Sequence, residues 1–244
     1  MSGFAAVPQI SEKEVRTKFL RDEVVYARGL SKTYLRGTEK VHALRGVDLS
    51  VHRGDVIAVT GPSGSGKSTL LNILGLLDTP DEGQLVLNGV QVDFRDTGRS
   101  ESLRSRCLGF VFQTFNLTPV LSALENVELP LLLRPVRPKE RRERAAAMLA
   151  AVGLGDRLTH RPRELSAGQQ QRVAVARALV TQPVLVLADE PTASLDSRSA
   201  FGLMDLLNNL NAELSTTFLF STHDQRLVGR VRKVVVLQDG RLVE

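Results

Sequence analysis

The sequence has one cysteine, no tryptophan and two tyrosines in 244 residues. Nowhere does it hold an apolar run as long as the roughly 18 residues that a bilayer-crossing helix needs. Each shortage excludes something. The lone Cys107 cannot close an internal disulfide, so nothing in the chain asks for an oxidising compartment. The scarcity of aromatic rings removes the interleaved aromatic and basic side chains of a base-stacking surface, and no nucleic-acid partner is expected. Glu12, Lys13, Glu14 and Arg16 interrupt the N-terminal region before an apolar core of signal-peptide length can form. A role at a membrane would need another chain to span it.

What is present is ordinary for one globular domain with a subdomain: 42% hydrophobic and 24% charged residues, which excludes disordered and fibrous classes. The 32 basic residues, 25 of them arginine, outnumber 27 acidic ones and give a net charge of +5. That balance suits an anionic partner without choosing among nucleic acid, lipid headgroup and phosphorylated small molecule. Residues 1–23 are polar and weakly patterned, and read as a tail or short amphipathic arm.

From Val24 onward short continuous apolar runs appear: 56–59, 110–112, 184–188, 218–220 and 234–237. Continuous rather than alternating runs fit strands covered on both faces, as in a parallel sheet under helices. Helical spacing lies between them. Asp196 is placed to cap a helix whose apolar face is Leu203, Leu206, Leu207 and Leu210. Pro138 fits a first helical position, Ala145, Met148, Leu149 and Val152 form one stripe, and Gly153 fits the C-terminal stop. The fold class is α/β, with a mostly helical subdomain expected over about 100–165.

The most informative stretch is Gly61-Pro62-Ser63-Gly64-Ser65-Gly66-Lys67-Ser68, followed by Thr69, between an apolar run and the helical run 70–77. It matches G-x-x-x-x-G-K-[ST] in the required setting. Its glycines allow a turn tight enough to aim backbone N–H groups at a β-phosphate, and the following helix adds its positive end. Lys67 then reaches the β- and γ-phosphates, and the Ser68 hydroxyl suits Mg²⁺. A Gly/Ser turn that merely caps a helix is the plain alternative. Against it, the pattern arises by chance in a chain of this composition with a probability of roughly half a per cent.

The run 184–188 ends in Asp189-Glu190, which places two acids at the C-terminal edge of a buried strand, where open α/β sheets bind ligands. Asp189 is suited to the Mg²⁺ shell, and Glu190 to orienting and deprotonating the water that attacks the γ-phosphate.

Leu165-Ser166-Ala167-Gly168-Gln169, continued by Gln170-Gln171-Arg172, resembles the signature segment of the ATP-binding cassette (ABC) ATPases. The order of P-loop, Gln113, signature, Asp189-Glu190, Ser194-Leu195-Asp196 and His223 is similar to that family from Val24 to the end of the sequence. The resemblance implies a P-loop NTPase core with a mainly parallel sheet, an N-terminal antiparallel β part and an inserted helical subdomain over 24–244. It implies ATP and Mg²⁺ as ligands, and a head-to-tail dimer in which Ser166 and Gly168 close over ATP held by the second copy. It also implies that Gln113 contacts magnesium and the attacking water, that His223 bonds the γ-phosphate, and that Tyr34 lies against adenine. Two positions depart from the family pattern. Ala167 stands where a glycine is commoner, and Ala193-Ser194 where close relatives often carry Gly-Asn.

Residues 112–119 and 123–130 resemble the branch that serves lipoprotein release, macrolide-type export and bacterial cell division. That implies a peripheral subunit on the cytoplasmic face of the membrane, driving a separate integral membrane permease and never touching the transported substrate. Residues from about 113 to 133 would form the groove for the permease. Arg134, Arg137, Lys139, Arg141, Arg142 and Arg144 lie beside it, either as a solvated face or facing anionic headgroups. The alternative is a regulatory cell-division or signalling ATPase that moves no substrate. A soluble cassette working on DNA or ribosomes fits less well, since those carry two cassettes, zinc-binding cysteines or long coiled coils.

Overall fold

The structure, a computed structural model, describes residues 22–243. The tail or arm read over 1–23 lies outside the described residues, except that the first strand already begins at Glu23. Strands β1 (Glu23–Arg36), β2 (Glu39–His52), β4 (Glu82–Leu87) and β5 (Val90–Gln91) form an antiparallel sheet in the order β2-β1-β4-β5. The second sheet holds β3 (Val56–Thr60), β6 (Leu108–Val111), β7 (Leu185–Ala188), β8 (Thr217–Ser221), β9 (Lys233–Gln238) and β10 (Arg241–Val243). Its order is β10-β9-β3-β8-β7-β6, and every neighbouring pair is parallel except β10 with β9.

The parallel strands alternate between two cores. Ile57, Val59, Leu187 and Leu219 face Leu70, Ile73 and Leu74 of helix α1 (Lys67–Leu74), together with Val25, Leu49 and Leu85 of the antiparallel sheet. Val56, Ala58, Val186 and Phe220 face the opposite way, into a core shared with the long helices. Each fully buried Leu or Phe contributes about 1.5–3 kcal/mol of transfer free energy, so strands of four or five residues hold firmly. Every residue of β3, β7 and β8 is buried, as continuous apolar runs require. The run 234–237 differs: Val234 is 39% exposed, because only the three-residue β10 lies beyond β9. Helix α1 also lies earlier than the run 70–77, stopping at Leu74, with Gly75 as its C-cap and Leu76 at φ 55°.

Within 100–165, helix α2 (Thr97–Cys107) leads directly into β6, the edge strand of the parallel sheet. The helical part proper is α3 (Ala123–Glu128), a 3₁₀ turn over Leu129–Leu133 and α4 (Pro138–Ala151). Pro138 occupies the first turn of α4, and Gly153 follows the helix with φ 77°. The basic cluster beside it is partly consumed. Arg144 pairs with Glu140, Lys139 lies near Glu143, and Arg134 turns inward to the Ser105 and Thr181 carbonyls. Helices α5 (Ala167–Leu179) and α6 (Ser197–Leu214) start on the side-chain caps Ser166 and Asp196, and α7 (Gln225–Val228) on Asp224.

Asn126, fully buried on α3, fastens the segment before it. Its Oδ1 accepts from Thr118 N–H at 2.7 Å, and its Nδ2 lies 2.9–3.2 Å from the carbonyls of Thr118, Leu121 and Ser122. Asn126→Ala leaves these groups unpaired and is expected to cost about 2 kcal/mol or more in urea unfolding. A loss under about 0.5 kcal/mol would show that water replaces the amide without penalty.

Candidate functional site

Parallel pairing aligns four strand ends. Val59 of β3 sits beside Ser221 of β8, Phe220 beside Ala188 of β7, and Ala188 beside Val111 of β6. The next residues along each strand are therefore neighbours: Gly61 to Ser68, Thr222-His223, Asp189-Glu190 and Phe112-Gln113 all leave one edge of the sheet. Backbone bonds lace the edge, with Thr222 N–H on the Val59 carbonyl and Asp189 N–H on the Val111 carbonyl, both at 3.0 Å.

The phosphate loop is built on glycines that no other residue replaces. Gly61 has φ 145° and Gly66 φ 105°; a Cβ would lie 2.0 Å from the Leu237 carbonyl at the first and 2.2 Å from that of Ala43 at the second. The loop is braced from the C-terminal hairpin, where Gly240 N–H donates to the Ser65 carbonyl at 3.1 Å while the Gly240 carbonyl accepts from Arg45 N–H at 2.8 Å. Lys67 is buried and its Nζ donates to the Gly61 and Pro62 carbonyls at 2.9 Å. Helix α1 has no side-chain cap at Gly66, unlike α5 and α6, and the buried Ser65 hydroxyl has no partner among the described residues. An uncapped helix N-terminus, an orphaned hydroxyl and a lysine bonded only to carbonyls fit a triphosphate.

Glu190 has a left-handed backbone, φ 47°, and its Oε2 lies 2.8 Å from His223 Nδ1. Facing a carboxylate acceptor, Nδ1 is the ring nitrogen that donates to Glu190. Ser221, which the sequence reading did not single out, joins the two acids: its Oγ donates to Asp189 Oδ1 at 2.6 Å and accepts from Glu190 N–H at 2.8 Å. A polar residue ending an apolar strand two positions before His223 was the available signal. Ser194 Oγ donates to the Gln113 carbonyl at 3.2 Å, so the serine that departs from the family pattern ties two site loops. Among the described residues no three His, Cys, Asp or Glu side chains gather as a metal cage. Ser68, Gln113 and Asp189 instead offer hydroxyl, amide and carboxylate oxygens, a donor set that fits magnesium completed by phosphate and water.

Tyr34, at the far end of β1, is half-exposed and approaches Thr69 next to the P-loop serine. Its phenol donates to Asp78, and Lys32 Nζ lies 5.3 Å from the ring centroid and 3.1 Å from Asp78. Burial and the Asp78 carboxylate raise the phenol above its ordinary pKa. Burial opposes ionisation of Asp78, yet the hydrogen bonds from Tyr34 and Lys32 prevail and hold its carboxyl below the usual range. Lys32 and Asp78 are 46 positions apart, and only the fold reveals this support.

Ser166 and Gly168 are not gathered into this group. The Ser166 hydroxyl accepts from Gln169 N–H in a capping box, while Gly168 lies against Ser199 of α6. Ala167 takes a regular helical position, so the sequence-level departure from glycine strains nothing.

The model of the ABC transporter family matches residues 44–193. The chain is 48% identical over 221 residues to the lipoprotein-releasing system ATP-binding protein LolD of Pseudomonas syringae, covering 91% of this chain and 97% of that one. It is 49% identical over 211 residues to an uncharacterised ABC transporter ATP-binding protein of Thermotoga maritima, covering 86% and 90%. The dimeric structure of a post-hydrolysis state of the cassette MJ0796, bound to ADP and Pi, superposes with a TM-score of 0.82 at 42% identity, covering 90% of this chain and 97% of that one.

If the ring of Tyr34 carries the base contact, Tyr34→Ala weakens ATP binding by roughly 5- to 150-fold, the ~1–3 kcal/mol of one aromatic–base stack. Tyr34→Phe stays within about threefold. Titration of both variants with a fluorescent ATP analogue decides; equal loss in both would assign the binding to the hydroxyl instead.

Proposed function

The chain belongs to the ABC transporter family and is an ATP-binding and ATP-hydrolysing subunit, and from that premise we propose a specific engine. Two copies pair head to tail across two ATP molecules and drive a separate membrane permease of the lipoprotein-release or macrolide-export kind. The observation that carries this reading is the single sheet edge holding the P-loop, Gln113, Asp189-Glu190 and His223, while Ser166 and Gly168 stand apart from it on an exposed helix start.

In this reading Gly61 to Thr69 cradle the triphosphate, and Lys67 exchanges its two backbone carbonyls for β- and γ-phosphate oxygens. Ser68, Gln113 and Asp189 would hold magnesium, which when bound offsets charge on the phosphates. Glu190 receives the proton of the attacking water, and the contact to His223 orients its carboxylate. The partner's Ser166 hydroxyl and the start of α5 meet the γ-phosphate from the far side. Asp196, beside that helix start, lies in the segment expected to cross the interface.

A groove of about 750 Å³ between β6 and the helical part supports the permease contact. Leu108, Phe110, Phe112, Pro130 and Leu133 line it with Arg177, and Val120 and Leu133 stand 72% and 83% exposed. Such a surface suits short amphipathic helices of a membrane protein on the cytoplasmic side. Among the described residues no helix is long and apolar enough to cross a membrane.

Glu190→Gln should trap an ATP-bound dimer and lower turnover by at least about 10²-fold, the effect of losing a general base. Near-normal hydrolysis removes Glu190 from that role. Ser166→Arg should still bind ATP while remaining monomeric on gel filtration; ATP-dependent dimers of this variant would overturn the head-to-tail arrangement. Leu133→Asp should leave the soluble ATPase unchanged yet abolish copurification with the permease encoded beside its gene, and retained copurification would place the permease contact elsewhere.

A further inference from the structure

Gln171 lies on α5, five residues beyond Ser166, and its side chain is completely buried. Its Nε2 donates to the Pro191 carbonyl at 2.6 Å and reaches the Phe112 carbonyl at 3.4 Å. Those carbonyls flank two site residues: Phe112 immediately precedes Gln113, and Pro191 immediately follows Glu190. The amide is a costly choice here, because Oε1 has no donor among the described residues and an apolar side chain would pack without that penalty.

The backbone it holds explains the amide. Glu190 occupies the left-handed region at φ 47°, a conformation that persists in a non-glycine residue only when its surroundings impose it. Ser221 Oγ takes the Glu190 N–H on one side, and Gln171 holds the next carbonyl on the other. Further along α5, Arg177 donates to the Phe115 and Asn116 carbonyls, both residues again left-handed at φ 59° and 48°. One helix thus grips the Gln113 loop at both ends and the exit from Glu190 as well.

The geometry points to Gln171 as a positioning residue that fixes the backbone carrying Glu190 and Gln113 and ties both to the helix whose first turn bears Ser166 and Gly168. This rests on the reading of Glu190 as the base. Its consequence is an internal strut between two ATP sites, since the first turn of α5 faces the nucleotide of the second copy and its next turn, through the Gln171 amide, holds the backbone beside its own.

The test uses Gln171→Met, isosteric and a good helix former, with Gln171→Glu, which lacks both amide donors, in parallel so that a folding failure of one leaves the other. Each should reduce kcat about tenfold, the loss of one buried hydrogen bond, with KM for ATP within about twofold of the parent. In single-turnover hydrolysis on the Glu190→Gln background the same changes should reduce the residual rate by clearly less than about tenfold, because the stronger of the two contacts acts through Glu190 and the weaker through Gln113. A parental kcat, a KM rising in step with the loss, or a full additional loss on that background overturns the inference. Near-normal hydrolysis by Glu190→Gln alone sinks instead the assignment of the base.

Discussion

Everything in the site depends on the register of four short parallel strands. Because β3, β8, β7 and β6 end level with one another, four loops far apart in the chain emerge side by side, where side chains such as Ser221 and Gln171 can then tie them together. Register in turn is held by burial on both faces. A slip of one residue would exchange Val56 and Ala58 with Ile57 and Val59 between two cores of different shape, so alternative pairings have no comparable packing.

Within this frame the site is set rather than relaxed. Glu190, Phe115 and Asn116 hold left-handed backbones, and Lys67 occupies its hydrogen bonds with the loop's own carbonyls. Burial lowers the pKa of the Arg177 guanidinium, and the carbonyls of Phe115 and Asn116 receive its N–H groups. Such arrangements cost free energy locally and are sustained by the rigid sheet and helix α5 around them. The backbone that carries these groups is thereby held in place, while Lys67 keeps the freedom to exchange its carbonyl partners.

Much of this was legible in the sequence where local rules and position agree. The P-loop follows from glycines that must turn tightly, the acids from a buried run ending in Asp-Glu, and the caps Ser166 and Asp196 from residue type. The strand β6 was legible in part: the run 110–112 marked a strand, but its start at Leu108 and its place directly after α2, inside the stretch read as helical, come from the pairing with β7. Contacts whose partners are distant in sequence and individually commonplace were not legible at all. Lys32 with Asp78 and Gln171 with Pro191 have no periodicity or motif to announce them.

The brace of Gly240 on Ser65 has a temporal side. A nascent chain makes its phosphate loop near residue 61, but the strands β8 and β9 that flank β3, and the turn at Gly240 that props the loop, come later in the sequence. The phosphate loop therefore reaches its final, braced form only after Gly240 has left the ribosome.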